Sequence, residues 1–182
     1  MNTKILKIGI AGLGSVGQGV IKILQENSEL IKNKTNTDIQ IIGISAKDKN
    51  KKRDIAIHKY KWFDNPKSLA HDNSLDILIE LIGGEDGIAY EVVESAISSN
   101  KHVITANKAL LAKHGNYLFG LAEKNNVSLL YEAAVAGAIP IIKILKESTA
   151  SNNMNAIIVA KISVSADSKL SIDLVSSEIL IF

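Results

Sequence analysis

The chain has 182 residues, a formal net charge of +2 at pH 7 and 46% hydrophobic residues. This length suits one folded core. The apolar content and the nearly balanced charge together give no reason to expect a disordered chain, and the small net charge gives none to expect a nucleic acid as partner. Because the sequence contains no cysteine and shows no targeting or membrane-spanning segment, we expect a cytoplasmic protein without disulfides, thiolate metal sites or a membrane partner.

The first elements predicted along the chain are a strand, a tight turn and a helix. Residues 5–11 form a short apolar run, and residues 16–30 change to a helical period. The apolar stripe of that helix consists of Val16, Val20, Ile23, Leu24 and Ile31. Residues 39–45 are a second apolar run, typical of a strand buried on both faces of a parallel sheet, and they lead into the basic run 47–53.

The alternation continues through the middle of the chain. Residues 64–66 predict a turn that opens a short helix, and residues 75–82 predict a third strand that ends at two glycines. A helix over 90–97 and a strand over 102–105 follow. The order of elements is thus strand, helix, strand, as in a parallel sheet.

Further elements extend the same pattern. The sequence predicts a helical turn over 108–112, a helix over 116–124, a fifth strand over 127–131 and a helix over 139–146 with Pro140 in its first turn. We therefore predict an α/β fold, a doubly wound Rossmann-type parallel sheet.

The carboxyl-terminal segment has a different pattern. Residues 157–164 and 172–182 are strand-like and are separated by polar residues, which predicts an antiparallel hairpin. We assign 1–148 to the α/β domain and 149–182 to a short strand-rich tail.

A glycine-rich motif lies between the first strand and the first helix. Its residues are Gly12, Leu13, Gly14, Ser15, Val16 and Gly17. In this context G-x-G-x-x-G predicts a dinucleotide site, because Gly12 permits the turn, Gly14 lets the backbone approach the pyrophosphate and Gly17 allows close packing. The alternative is that the glycines only make a compact turn.

The end of the second strand indicates which dinucleotide binds. NAD-binding proteins usually carry an acidic residue there, whereas this strand ends at Ser45-Ala46 and continues with Lys47. Lys47 could hold a ribose 2′-phosphate, which favours NADP, although Asp48 could still serve NAD. The alternative for most of the basic run is a solvated loop.

Four segments resemble homoserine dehydrogenases in order and spacing: 12–20, 80–84, 100–115 and 131–140. The resemblance covers roughly residues 7–147 and implies an oxidoreductase that interconverts L-homoserine and L-aspartate 4-semialdehyde with NAD or NADP, in threonine and methionine biosynthesis. It implies a homodimer as well, and a small-molecule substrate.

The resemblance also implies roles for individual residues. Lys108 matches the family lysine that contacts the cofactor and lies near the substrate, and Gly83 lies in a segment that matches the cofactor site. Lys108 could instead be a helix-start lysine that faces water. The positions that bind a monovalent cation, chiefly Na⁺, are matched by Glu132, Val135, Gly137 and Ile139. Alternatively, Glu132 caps a helix and the small residues allow close packing.

The sequence departs from the family after the helix predicted at Pro140. It lacks the family's glycine- and asparagine-containing strand motif, and Ala138 replaces the usual second glycine. The resemblance thus implies that 1–148 is an NAD(P)-binding domain and that 149–182 is the remnant of a substrate and dimerisation domain. We therefore expect a truncated form without assignable substrate-domain residues. Two alternatives remain: a non-catalytic NADP-binding or regulatory module that pairs with another chain, and another small oxidoreductase such as an amino-acid dehydrogenase.

Overall fold

The computed structural model describes residues 3–134, 160–164 and 170–174. The chain divides into two compact units, Met1–Ile139 and Pro140–Phe182. In the first unit a six-stranded parallel sheet is combined with helices, and the second contains a two-stranded antiparallel sheet. The predicted helix over 139–146 lies outside the described residues.

The first unit contains six strands and five α-helices among its described residues. In chain order these are β1 (Lys4–Ala11), α1 (Ser15–Glu26), α2 (Ser28–Thr35), β2 (Thr37–Ser45), β3 (Lys61–Trp62), α3 (Pro66–Ala70), β4 (Ile77–Glu80), α4 (Ile88–Ser98), β5 (His102–Thr105), α5 (Lys108–Lys124) and β6 (Leu129–Leu130). Short 3-10 turns occupy Ile57–Lys59 and Glu132–Ala134.

The strand order determines where a ligand can bind. The sheet runs β3-β2-β1-β4-β5-β6, and each neighbouring pair is parallel. Strands β2 and β3 lie on one side of β1, and the chain then crosses over to form β4, β5 and β6 on the other side. This order confirms the predicted doubly wound fold, whose crevice opens at the carboxyl ends of β1 and its neighbours.

Helices cover both faces of the sheet. Consecutive residues of a strand point to opposite faces, and Leu78 and Ile79 of β4 accordingly belong to different hydrophobic clusters. The cluster of Leu78 includes residues of α3, α4 and α5, such as the fully buried Val93, whereas the cluster of Ile79 includes Ile21 of α1. The strands are apolar on both sides because both faces are covered.

The first helix ends earlier than the sequence predicts. We expected one helix over 16–30, but the chain forms α1 and α2 with a break at Asn27. The Asn27 side chain donates from Nδ2 to the Ile23 carbonyl oxygen at 2.9 Å, and its backbone N–H donates to the same oxygen at 3.0 Å. Asparagine competes for backbone groups in this way, which ends the helix.

The predicted apolar stripe of α1 is also partly wrong. Val16 and Ile23 are 61% and 58% exposed, whereas Gly17 and Ile21 are buried. The buried side of the helix is therefore rotated from the predicted stripe, and Gly17 of the glycine-rich motif packs against the turn at Gly12.

Helix α5 is continuous where the sequence predicts an interruption. We expected separate helical segments over 108–112 and 116–124, but one helix passes through the buried Gly115. Glycine in a helix costs about 1 kcal/mol relative to alanine. The burial of Leu110 and Leu118 against the core offsets that cost.

The second unit contains β7 (Ala160–Val164) and β8 (Leu170–Leu174). They pair in antiparallel register, with Ile162 opposite Ile172. The predicted hairpin is therefore confirmed, with shorter strands than the apolar runs suggested.

Candidate functional site

The turn between β1 and α1 is held between the two strands that flank β1. The Gly12 N–H donates to the Ser45 carbonyl oxygen at 2.9 Å, and the Leu81 N–H donates to the Ala11 carbonyl oxygen at 2.7 Å. Gly12 has a φ of +107°, and a Cβ atom there would lie 2.4 Å from the Leu81 carbonyl oxygen. Only glycine fits this position without a shift of the backbone.

Gly14 is the N-cap of α1, and it is open to solvent. A Cβ atom on Gly14 would meet no other atom within 4 Å, and no side chain caps the helix. The first N–H groups of a helix have no partner within it, and with no acidic residue in the first turn they favour an anion. The space beside Gly14 is therefore suited to phosphate.

A cleft of about 970 Å³ opens beside this turn. It extends from the end of β2 across the turn to the loop after β4. The residues that line it are Gly12, Leu13, Gly14, Ser45, Ala46, Lys47, Asp48, Lys51, Arg53, Asp64, Pro66, Leu81, Ile82 and Ile88. The cleft thus lies at the switch point of the sheet, where doubly wound folds bind their ligands.

Arg53 shapes the loop that contains the basic run 47–53, called the basic loop below, at one end of the cleft. Its guanidinium donates to the carbonyl oxygens of Asp48 at 2.6 Å and Lys51 at 2.9 Å, and its Cζ lies 5.7 Å from the centre of the Trp62 ring. These contacts fold the loop back on itself. Lys47 and Lys51 consequently line the cleft as well.

Two buried polar side-chain atoms in the described part of the chain have no hydrogen-bond partner. They are the Ser45 hydroxyl oxygen and the Arg53 Nε. Both residues line the basic end of the cleft. Unsatisfied buried polar groups are rare in folded proteins, and a bound ligand is one explanation for them.

The loop between β4 and α4 is tied to α5 by charged side chains. Lys113 Nζ lies 3.2 Å from Glu85 Oε1 and also forms an ion pair with Asp86, while His114 Nε2 lies 2.7 Å from Asp86 Oδ1. Hydrogen bonds from Lys113 and His114 lower the pKa of Asp86, and the same partners raise the pKa of Lys113, first through Asp86 and then through Glu85. These groups are exposed, so the contacts orient the loop more than they stabilise the fold.

Some of the predicted site residues line the cleft and others do not. Those that line it are Gly12, Leu13, Gly14 and Lys47. Ser15, Val16 and Gly17 follow in the first turn of α1, and Gly83 follows the cleft residue Ile82. Lys108 is the exposed first residue of α5 and is not part of the lining.

The predicted cation site falls mostly outside the described residues. Glu132 begins the short turn Glu132–Ala134, and the other predicted positions, Val135, Gly137 and Ile139, are not described. Within the described ranges no group of three His, Cys, Asp or Glu residues could hold a metal ion. No helix in the same part of the chain is long and apolar enough to cross a membrane.

Sequence reasoning missed several residues of the cleft. It treated Lys51 and Arg53 as members of a solvated loop and gave Ser45 no role. The available signal was position, because Ser45 ends the second strand, where ribose-binding residues of this fold occur. Leu81 and Ile82 directly follow β4, whose carboxyl end borders the same crevice, so their place in the lining of the cleft could have been expected.

Comparison with known proteins agrees with this geometry. Residues 12–132 match the family described as homoserine dehydrogenase, NAD binding domain. The chain is 43% identical over 154 residues to a homoserine dehydrogenase of Neisseria gonorrhoeae, an alignment that covers 85% of this chain and 35% of that protein.

Solved structures give the same result. A homoserine dehydrogenase from Thiobacillus denitrificans superposes with a TM-score of 0.74 at 38% identity, covering 86% of this chain and 35% of that one. The Staphylococcus aureus homoserine dehydrogenase at pH 7.5 gives a TM-score of 0.69 at 44% identity, covering 74% and 33%. The chain spans about a third of the length of these relatives. It belongs to the homoserine dehydrogenase family, and the part of that family it matches is the NAD binding domain.

Proposed function

We propose that this chain is the nicotinamide-dinucleotide-binding part of a homoserine dehydrogenase, an oxidoreductase that interconverts L-homoserine and L-aspartate 4-semialdehyde in threonine and methionine biosynthesis. The observation that carries the proposal is the position of the glycine turn at the mouth of the cleft, at the switch point of the sheet. Family membership supports the choice of substrate.

The residues around the turn fit a pyrophosphate. Gly14 leaves open space beside the first turn of α1, and the free N–H groups of Ser15, Val16 and Gly17 would hold the phosphate oxygens. Gly12 and Leu13 form the adjacent wall of the cleft. This arrangement needs no positively charged side chain at the pyrophosphate itself.

The preferred cofactor in this proposal is NADP. Lys47 and Lys51 bring positive charge to the end of the cleft beyond β2, and the unpaired Ser45 hydroxyl and Arg53 Nε are available donors there. Asp48 is a poorer ribose ligand, because its Oδ1 already accepts the Asn50 N–H at 2.8 Å. A 2′-phosphate would satisfy these donors better than a ribose hydroxyl.

A bound nicotinamide cofactor supplies or accepts the hydride in this reaction. The residues described above would bind and orient it, with Gly83 in the loop after β4 next to the cofactor. Lys108 is proposed to contact the cofactor near the substrate, where its charge could balance a phosphate or polarise a substrate oxygen. Orientation of the two reactants is a large part of catalysis in such enzymes.

Three further features belong to the same proposal. A monovalent cation, Na⁺, would bind at Glu132, Val135, Gly137 and Ile139 through oxygen atoms, which hard cations prefer. The functional unit would be a homodimer. The chain would act in the cytoplasm, and the absence of cysteine agrees with a reducing compartment.

Calorimetric titration of the purified chain with NADPH and with NADH, followed by a homoserine oxidation assay, tests the proposal. We expect tighter binding of NADPH than of NADH, without oxidation of L-homoserine, because no residue of this chain is assigned to hold the substrate or to take its proton. Failure of the folded chain to bind either nucleotide would contradict the proposal as a whole. Oxidation of homoserine by this chain would mean that residues after 148 supply catalytic groups, and it would contradict the assignment of the chain to the cofactor-binding part alone.

A further inference from the structure

A buried carboxyl group ends strand β4. Glu80 is fully buried, and its Oε1 accepts hydrogen bonds from the backbone N–H groups of Ile82 at 2.6 Å and Gly83 at 3.2 Å. Its Oε2 accepts one from the Thr105 hydroxyl at 2.6 Å. A buried carboxyl group is costly unless such partners satisfy it. Glu80 therefore fixes the backbone of the loop after β4 and joins that loop to the end of β5.

Asn107 extends the network to α5. Its backbone N–H donates to the Thr105 hydroxyl oxygen at 3.0 Å, and its Nδ2 donates to the Gly84 carbonyl oxygen at 2.6 Å. Its Oδ1 accepts the Leu110 N–H at 3.1 Å and so caps the helix. The Asn107 side chain thus caps the helix whose first residue is Lys108, and it also holds the loop that contains Gly83 and Gly84.

The network lies in the half of the sheet opposite the basic loop. Strands β4 and β5 are on one side of β1, and β2 is on the other. A dinucleotide whose pyrophosphate lies at the turn after β1 places one nucleoside over each half. Because the cationic residues gather at β2, the adenosine and its 2′-phosphate belong there, and the nicotinamide belongs over the ends of β4 and β5.

We infer that Glu80, Thr105 and Asn107 are positioning residues for the nicotinamide end of the cofactor. They fix the relative positions of the loop that carries Gly83 and the helix start that carries Lys108, and within the described residues their hydrogen bonds do not reach the loop that carries Lys47. This inference rests on the proposed function. It adds that the two ends of the cofactor are recognised by separate hydrogen-bonded frameworks.

The test uses Asn107→Asp and Asn107→Ser in the full chain. Both replacements keep an oxygen that can cap α5, and both remove the amide nitrogen that donates to the Gly84 carbonyl oxygen. Each variant is titrated with NADPH and with 2′-phospho-ADP-ribose, which keeps the adenosine end and the pyrophosphate but has no nicotinamide. We expect NADPH to bind about 3- to 10-fold more weakly, the effect of one lost hydrogen bond. The affinity for 2′-phospho-ADP-ribose should not change.

A second pair of variants tests the same network at Thr105, with Thr105→Ser as the matched control. Thr105→Val removes the hydroxyl group at nearly constant volume, whereas Thr105→Ser retains it. We expect Thr105→Val to weaken NADPH binding selectively and to lower the fluorescence of the bound reduced nicotinamide, and we expect Thr105→Ser to restore both.

The outcomes separate this inference from the proposed function. If the wild-type chain binds neither ligand, the proposed function fails. If the wild-type chain binds both but the variants weaken both equally, or weaken neither, the cofactor site stands and the positioning role is contradicted.

Discussion

A Cβ atom on Gly17 would lie 2.0 Å from the carbonyl oxygen of Gly12. Helix α1 therefore approaches the turn that precedes it as closely as a glycine permits. The close packing of the helix on the turn requires a glycine at position 17, next to the Gly12 carbonyl oxygen. This contact sets the direction of the helix whose N-terminus faces the cleft.

The first prediction concerns this contact. Gly17→Ala should lower the free energy of unfolding by roughly 1–3 kcal/mol, because the methyl group overlaps a backbone oxygen that cannot move freely. Urea denaturation measures the change. Gly19→Ala is the matched control, since a Cβ there meets nothing within 4 Å. That replacement should stabilise the helix by about 0.5–1 kcal/mol, and equal effects at the two positions would argue against a packing role for Gly17.

The second prediction concerns Gly14. Gly14→Val should abolish NADPH binding, because the new side chain would occupy the open space assigned to phosphate, and it should leave the chain folded. Calorimetry and circular dichroism measure the two effects. Gly19→Val places the same side chain further along α1, outside the cleft, and should bind NADPH normally. Retained affinity in Gly14→Val would refute the assignment of the turn to pyrophosphate.

The third prediction concerns the basic loop. Lys47→Ala should weaken NADPH binding about 5- to 20-fold through loss of a charge-assisted contact, with little effect on NADH. The difference should shrink as salt is raised, because exposed charges are screened. Lys52→Ala is the control, since Lys52 belongs to the same basic run but does not line the cleft. A similar loss for NADH and NADPH would exclude recognition of the 2′-phosphate by Lys47.

The fourth prediction concerns acid stability. A hydrogen bond from Lys61, helped by two from Ser74, lowers the pKa of Asp72 from 3.8 to about 2. Because the folded-state pKa is the lower one, the ionised side chain stabilises the fold fully above about pH 4, and this contribution is lost as the pH falls towards 2.

Asp72→Asn tests that linkage. The variant should be less stable than the wild-type chain at pH 7, and the difference should disappear near pH 2. Asp54→Asn is the control, because Asp54 is exposed and its side chain forms no ion pair or hydrogen bond within the described part of the chain. A stability difference for Asp72→Asn that does not depend on pH would contradict the account.

The sequence alone predicted the fold well because its strongest signals are periodic and local. The buried strands are continuous apolar runs, and the 102–105 strand has the predicted bounds. The positions at which helices end or continue were harder to predict. Asn27 ends α1 through its own side chain, while Gly115 does not interrupt α5 because tertiary packing outweighs its low helix propensity. Strand β3 has two residues, too few for a periodic signal.

The site was predictable only where backbone geometry demands a residue type. The glycines of the turn carry such a signal, because Gly12 has a positive φ and Gly17 a close contact. Ser45 carries only a signal of position, because it ends the second strand. Arg53 carries none, since its role depends on a loop that folds back through its hydrogen bonds to the Asp48 and Lys51 carbonyl oxygens. Glu80 resembles an ordinary strand end until its hydrogen bonds to the next strand are seen.

The central claim is that the cleft beside the glycine turn binds a nicotinamide dinucleotide, and mapping the binding by NMR tests it most directly. Backbone amide signals of the ¹⁵N-labelled chain would be followed during titration with NADPH. We predict the largest shifts at Gly12–Gly17, at residues 45–53, which include the basic loop, and at Leu81–Gly83. Saturable binding with the largest shifts elsewhere, or no shifts in a folded chain, would contradict the claim.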